Sequence, residues 1–239
     1  MSASIRIENL TKYYGDFLAL DKLSLNVETN ENIGLLGPNG AGKSTCLKIL
    51  CGLLKPSSGA AYINEHNVVE QSEQALSCIG AIIEVPEFYG YLTPRESLSY
   101  LGRLRGMGGK HMKGRIDEVI SLVKMERWAN VKIEKFSRGM KQRLGLAQSI
   151  LHDPPILILD EPALGLDPRG IVEFREIIES VGRNKTVFFA SHQLDEVTRI
   201  CNRVAFIVEG KLLLYDTLEE VNRQYETLEQ AYLKLTGAL

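Results

Sequence analysis

GPNGAGKS, residues 37–44, fits the pattern G-x-x-x-x-G-K-[ST]. It stands between an apolar run, ENIGLL at 31–36, and a helical stretch from Lys43 to about Leu53. A strand before and a helix after are the context in which this pattern cradles phosphate. Glycines let successive backbone N–H groups turn inward around an anion with no Cβ in the way. The helix start adds its partial positive charge. Lys43 can then reach β- and γ-phosphates, and the Ser44 hydroxyl can ligate Mg²⁺. The plain alternative is a glycine turn that only joins strand to helix.

A second feature favours the phosphate reading. PPILILD, 154–160, is a short, fully apolar run of the kind that forms a central parallel strand, and it ends in Asp160-Glu161. A nucleotide site of this kind needs a second acidic group for Mg²⁺. Asp160 is placed to hold that ion through water. Glu161, one residue beyond the strand, is free to polarise an attacking water as general base.

Outward from these two anchors, SIRIENL, FLALDKLSLNV and GAAYINEHNVV alternate as strands, with YYGD as a turn between the first two. Helical periodicity sets in between about Pro86 and Asp153, in ESLSYLGRLRGM, RIDEVISLVKM and SRGMKQRLGLAQSIL. After PPILILD come a helix over 168–182, the strand TVFFASH, the helix QLDEVTRICNR, the strand VAFIVEG and a helical stretch over 218–236. Strands alternating with helices predict an α/β sheet with helices on both faces.

Composition narrows the function classes. The 239 residues are 44% apolar and 24% charged with net charge −2, which supports a sizeable core and argues against a general nucleic-acid binder. No run approaches the roughly 18 apolar residues needed to span a bilayer. MSASIRIENL has no apolar signal core, so a cytoplasmic protein is expected, held at the inner face of the membrane only by a partner. Cys46, Cys51, Cys78 and Cys201 form no CxxC pair and read as buried reduced thiols.

The motifs in order, GPNGAGKST, FSRGMKQRLGLA, ILILDEP, GLDP and SH at 191–192, resemble the nucleotide-binding domain of ABC transporters over essentially the whole chain. The resemblance implies one ABC ATPase domain over 1–239. It would have a P-loop NTPase (RecA-like) α/β core at 34–58 and 154–215, an antiparallel β subdomain at 1–33 and 59–70, an inserted helical subdomain at 86–153 and a helical tail at 216–239. It also implies ATP and Mg²⁺ as ligands. Tyr14 matches the aromatic that stacks on adenine. Gly37, Pro38, Asn39, Gly40, Ala41, Gly42, Lys43, Ser44 and Thr45 match the Walker A loop. Asp160 and Glu161 match the end of Walker B and the catalytic glutamate, and His192 matches the switch histidine at the γ-phosphate. Gly165, Leu166 and Asp167 match the D-loop. His66, His111 and His152 match no motif and read as surface or packing residues.

Two motifs depart from the family pattern. The signature LSGGQ stands here as FSRGM, which keeps Ser137 and Gly139 and introduces Arg138 and Met140. The family's Q-loop glutamine, a ligand of Mg²⁺ and water, is replaced by Glu84, a carboxylate that also offers oxygen to the ion. A solvated loop acid is the alternative. The resemblance further implies a head-to-tail dimer, most simply of identical chains. In it Ser137, Gly139 and Asp167 of one subunit close in trans over ATP held by the loop of the other. A separately encoded permease, of the ABC-2 type by the look of GAIIEVPEFYGYLT, would complete an exporter, with Phe88, Tyr89 and Tyr91 lining its docking groove. The competing class, a soluble ABC ATPase of DNA repair or translation, would carry a long coiled coil or a second such domain.

Overall fold

The computed structural model describes residues 3–237. β1 (Ala3–Tyr14) and β2 (Phe17–Glu28) pair antiparallel across a turn at Gly15-Asp16. In β2, Leu23, Leu25 and Val27 are buried while Ser24 and Asn26 are exposed, the period of a sheet with one face on the core. β3 (Asn32–Leu36) runs into the glycine loop and α1 (Lys43–Leu50) follows. The chain then returns through β4 (Ser58–Ile63) and β5 (His66–Asn67), giving a four-stranded sheet in the order β2-β1-β4-β5.

α2 (Ser72–Ser77) leads into β6 (Ile79–Ile82), and the helical block follows as α3 (Pro94–Leu104), α4 (Gly109–Leu122) and α5 (Arg138–Ser149). α3 starts sharply because Pro94 occupies its first turn and Thr93 and Glu96 form a reciprocal capping box. Beyond it the chain alternates: β7 (Ile156–Asp160), α6 (Pro168–Gly182), β8 (Thr186–Ala190), α7 (Leu194–Ile200), β9 (Arg203–Val208), β10 (Lys211–Thr217), α8 (Leu218–Tyr225) and α9 (Leu228–Leu235).

The second sheet has the order β10-β9-β3-β8-β7-β6, parallel throughout except for β10. Its central strands are buried on both faces, so successive residues enter opposite cores. Leu157, Leu159, Val187, Phe189, Val204 and Phe206 pack with α4, α5, α6 and α9. Ile156, Ile158, Phe188, Ala190, Ala205 and Ile207 pack with α1 and the inner face of the antiparallel sheet. Full burial of each of the Val, Leu, Ile and Phe side chains among these is worth about 1.5–3 kcal/mol. The helix that follows the glycine loop is thereby clamped between two sheets, which fixes where the loop points.

The helical stretches expected at 96–107, 115–125 and 137–151 correspond to α3, α4 and α5, and the helix over 168–182 coincides with α6. The expected boundary at residue 33 falls inside β3, which belongs wholly to the six-stranded sheet. Three elements carry no readable period. β6 is four residues long and contains Gly80, where a Cβ would lie 1.9 Å from the Ser149 carbonyl oxygen. α2 is six residues. β10 is a half-exposed edge strand with no run of buried positions. The terminal helical stretch is two helices, broken where Glu226 takes φ 67°.

Candidate active site

The glycine loop is held by close approach to the strands around it. A Cβ on Gly37 would stand 2.1 Å from the Ile207 carbonyl oxygen, and one on Gly42, at φ 102°, would stand 2.5 Å from that of Ala19. Lys43 follows at the first position of α1 and is buried. Its Nζ donates to the carbonyls of Gly37 (2.6 Å) and Pro38 (3.1 Å). Burial lowers the pKa of this ammonium, and the nearby charges of Glu161 and Asp160 oppose that shift. The lysine is thus anchored at the loop's rim with its charge turned toward the place where a phosphate would lie.

Across from it, β7 delivers two carboxylates with different surroundings. Asp160 is buried and is pushed up in pKa mainly by burial, with the nearby Ser44 hydroxyl opposing that shift. Its Oδ1 has no hydrogen-bond partner among the described residues. A buried carboxylate oxygen without a partner, beside a serine hydroxyl at the foot of a phosphate loop, is a donor set that fits Mg²⁺. Glu161 turns out of the strand with φ 46°, a left-handed backbone uncommon for a non-glycine residue and typical of functional positions. Its N–H stays bonded to the Ala190 carbonyl at 2.9 Å, and its Oε2 lies 2.8 Å from His192 Nδ1.

Tyr14, Asn39, Gly40, Ala41, Gly42, Lys43, Ser44, Thr45 and Glu161 line one open cleft of about 280 Å³. Phe17 and Ala19, which no motif marks, complete its wall; Tyr14 and Phe17 are both exposed aromatics at its mouth. Gly37 and Pro38 form the base through the carbonyls that hold Lys43.

Ser137, Gly139 and Asp167 lie elsewhere, in a separate cleft of about 510 Å³ between α5, α6 and the Gly165–Asp167 loop. Ser137 caps α5, its hydroxyl accepting from the Met140 N–H at 3.3 Å; Asp167 caps α6, accepting from Gly170 N–H at 2.8 Å, with Pro168 next. Arg138 has a place as well: its guanidinium lies against Gly165, where a Cβ would meet Nη1 at 2.2 Å.

Glu84, at φ 63°, is exposed but paired to α1. Its Oε1 is 2.5 Å from Nζ of Lys48, one turn beyond Ser44, and that ammonium holds the carboxyl below its usual range. Lys48 was invisible as a site residue because a lone lysine on a helix reads as a solvated face. Gln142 was hidden too: buried on α5, its amide donates to the Pro162 carbonyl at 2.7 Å and ties the signature helix to the segment after Glu161.

A phosphate loop, a strand-end carboxylate pair and a histidine just beyond the neighbouring strand, set on a mostly parallel sheet, define a P-loop nucleotide hydrolase with an inserted helical lobe. The family model for ABC transporters matches residues 20–164, and the chain belongs to that family. It is 44% identical over 230 residues to the bacitracin transport ATP-binding protein BcrA of Bacillus licheniformis, covering 94% of this chain and 74% of the relative. The protein of the same name from Enterococcus faecalis is 39% identical, covering 100% of this chain and 78% of the relative. A solved structure described as the ATP-binding subunit of an ABC transporter superposes with TM-score 0.87 at 28% identity, over 98% of this chain and 99% of that one. The chain is an ATP-binding, ATP-hydrolysing subunit of an ABC transporter, a class of subunit that dimerises and pairs with a membrane permease. Among its described residues no helix is long and apolar enough to cross a membrane.

Proposed function

We propose that the protein is the ATPase of an exporter built on an ABC-2 type permease, acting at the inner face of the membrane as a homodimer that closes head to tail around two ATP molecules. The observation that carries this reading is the separation of the two clefts. The loop of residues 37–45 and the starts of α5 and α6 line different cavities with no residue in common. ATP on the loop therefore meets Ser137, Gly139 and Asp167 only if a second copy brings them.

Within the closed site, Lys43 exchanges its carbonyl acceptors for β- and γ-phosphate oxygens. Ser44 and Asp160 would hold Mg²⁺, with Glu84 as a further oxygen once it leaves Lys48; the bound ion neutralises charge on the phosphates. Glu161 accepts the proton of the attacking water. A carboxylate only accepts, so the bond to His192 is donated by Nδ1–H, which fixes the ring and leaves Nε2 as its polar atom toward the γ-phosphate. Tyr14 stacks on the adenine. Loss of the γ-phosphate, gripped from both sides, opens the dimer.

The opening must reach the permease, and the region after Glu84 is the contact. Phe88 and Tyr89 line a groove of about 420 Å³ with Tyr100 and Leu101 of α3. Tyr91, largely exposed, stacks against Tyr89 with ring centroids 5.7 Å apart. A short cytoplasmic helix of the permease is its occupant. The resemblance to bacitracin transport proteins supports export. Co-purification from membranes tests the reading: recovery with a permease supports it, and stable association with ribosomes or DNA instead would overturn it.

A further inference from the structure

His192 sits on a three-residue link between β8, which ends at Ala190, and α7, which begins at Leu194. A side chain on so short and exposed a link needs something to hold the backbone. Ser191 and Glu196 supply it. Ser191 is fully buried, and its hydroxyl donates to Glu196 Oε2 at 2.8 Å while accepting the Gln193 N–H at 3.0 Å. One hydroxyl thus joins both sides of the His192 backbone to the same carboxylate.

Glu196 is itself anchored. It is 3% exposed, on the face of α7 that packs on the sheet. Next to it Val197 presses so closely on β3 that a Cβ at Gly34 would stand 2.2 Å from its Cγ1, leaving α7 no room to shift inward. The second oxygen of Glu196, Oε1, is buried with no hydrogen-bond partner among the described residues; Glu196 and Arg175 line one small cavity under α6, and the arginine's charge partly opposes the rise in pKa that burial imposes. Buried carboxylates are rare and costly unless they serve a bond or a charge. Glu196 does not line the phosphate cleft, so contact with nucleotide does not explain its cost.

We propose that Glu196 is a positioning residue for hydrolysis: through Ser191 it fixes the link between β8 and α7 and so keeps His192 Nδ1 on Glu161. The chain runs from Glu196 through Ser191 and the link backbone to His192 and Glu161. Glu196 touches neither nucleotide nor water; it acts through the histidine. The inference rests on the reading of His192 given above.

The test compares ATP turnover of the full-length protein with Glu196→Ala, Glu196→Gln and Ser191→Ala, each alone and combined with His192→Ala, alongside ATP affinity and the thermal midpoint. Glu196→Ala should lower kcat about tenfold or more while KM stays within about twofold, the pattern of lost transition-state interaction. Glu196→Gln, which keeps an acceptor for Ser191, should recover most of that loss. In His192→Ala, already slow, neither Glu196→Ala nor Ser191→Ala should cost anything further. The nucleotide-free protein gives a second readout: the His192 ring nitrogens, followed by NMR, should move toward an unrestrained imidazole in Glu196→Ala and Ser191→Ala and stay in place in Glu196→Gln. A loss of kcat that persists undiminished in His192→Ala, or ring signals unmoved by either truncation, overturns the proposal. Full turnover by His192→Ala itself would instead strike the reading of the histidine. Should Glu196→Ala fold poorly, Ser191→Ala, which removes one buried hydroxyl, decides by the same outcomes.

Discussion

Glu161 Oε2 and His192 Nδ1 lie 2.8 Å apart although 31 residues separate them, because β7 and β8 are parallel neighbours that end side by side. The pair stands where the loop before α1 opens, at the carboxyl ends of the strands, the place where open parallel sheets bind ligands. Neither side chain is buried enough to be needed for the core: the histidine is 44% exposed and the glutamate 20%. The core therefore does not require their contact, in keeping with the role in hydrolysis proposed for the pair. Replacing His192 with Ala should lower kcat about a hundredfold, within the range of a lost orienting partner in proton transfer. ATP affinity and thermal midpoint should stay unchanged, as measured by steady-state turnover, nucleotide titration and calorimetry.

Glu84 yields a prediction about the metal. Its carboxylate is neutralised by Lys48 and exposed, so Glu84→Gln should leave folding unchanged. If Glu84 exchanges Lys48 for Mg²⁺ on closure, the Mg²⁺ concentration for half-maximal turnover should rise severalfold in the variant, since a neutral amide is a weaker ligand of a hard cation than a carboxylate. An unchanged Mg²⁺ requirement would mean that Glu84 is a solvated acid paired only with Lys48.

The groove beside α3 separates coupling from hydrolysis. Phe88→Ser with Tyr91→Ser should leave basal ATPase activity of the isolated protein intact and abolish transport by the assembled transporter, read as substrate export from cells or vesicles. Phe88 also touches the larger core, so a fall in thermal midpoint with Phe88→Ser alone, absent with Tyr91→Ser, would assign Phe88 to packing and leave Tyr91 as the docking residue.

His152 matches none of the motifs, yet it controls a pH dependence. Its Nε2 donates to the Ile79 carbonyl at 3.0 Å, and burial, helped by Arg105, holds the ring's pKa down to about 4 from 6.5. Below pH 6.5 the unfolded chain binds a proton that the folded chain refuses until about pH 4. Stability therefore falls as pH drops through that window and levels off beneath it. Allowing for the part of the ring open to solvent, the contribution is about 2 kcal/mol. Urea unfolding of His152→Gln should show a shallower decline between those two pH values than the wild type.

Much of this was legible from residues in order. The apolar run ending in Asp160-Glu161 reads as a central parallel strand and is one, and the helix over 168–182 is bounded by an Asp-Pro start that sequence shows directly. β6 and β10 were not legible, since one is too short for a period and the other lies at an edge where burial does not alternate. Residues whose roles depend on a distant partner were hidden for a similar reason. Nothing near Lys48 announces Glu84, nothing near Arg138 announces Gly165, and a glutamate four residues after His192 reads as an ordinary helix acid until its burial is seen.

The central claim is that one chain carries two halves of different sites. Glu161→Gln tests it most directly, because the amide keeps the shape of the site but cannot take the water's proton. The purified variant, examined by light scattering with and without MgATP, should pass from monomer to dimer on adding ATP, retain two nucleotides per dimer unhydrolysed, and lose the dimer when Ser137→Arg is added. A variant that stays monomeric while saturated with ATP, or that still turns ATP over at the wild-type rate, would contradict the account.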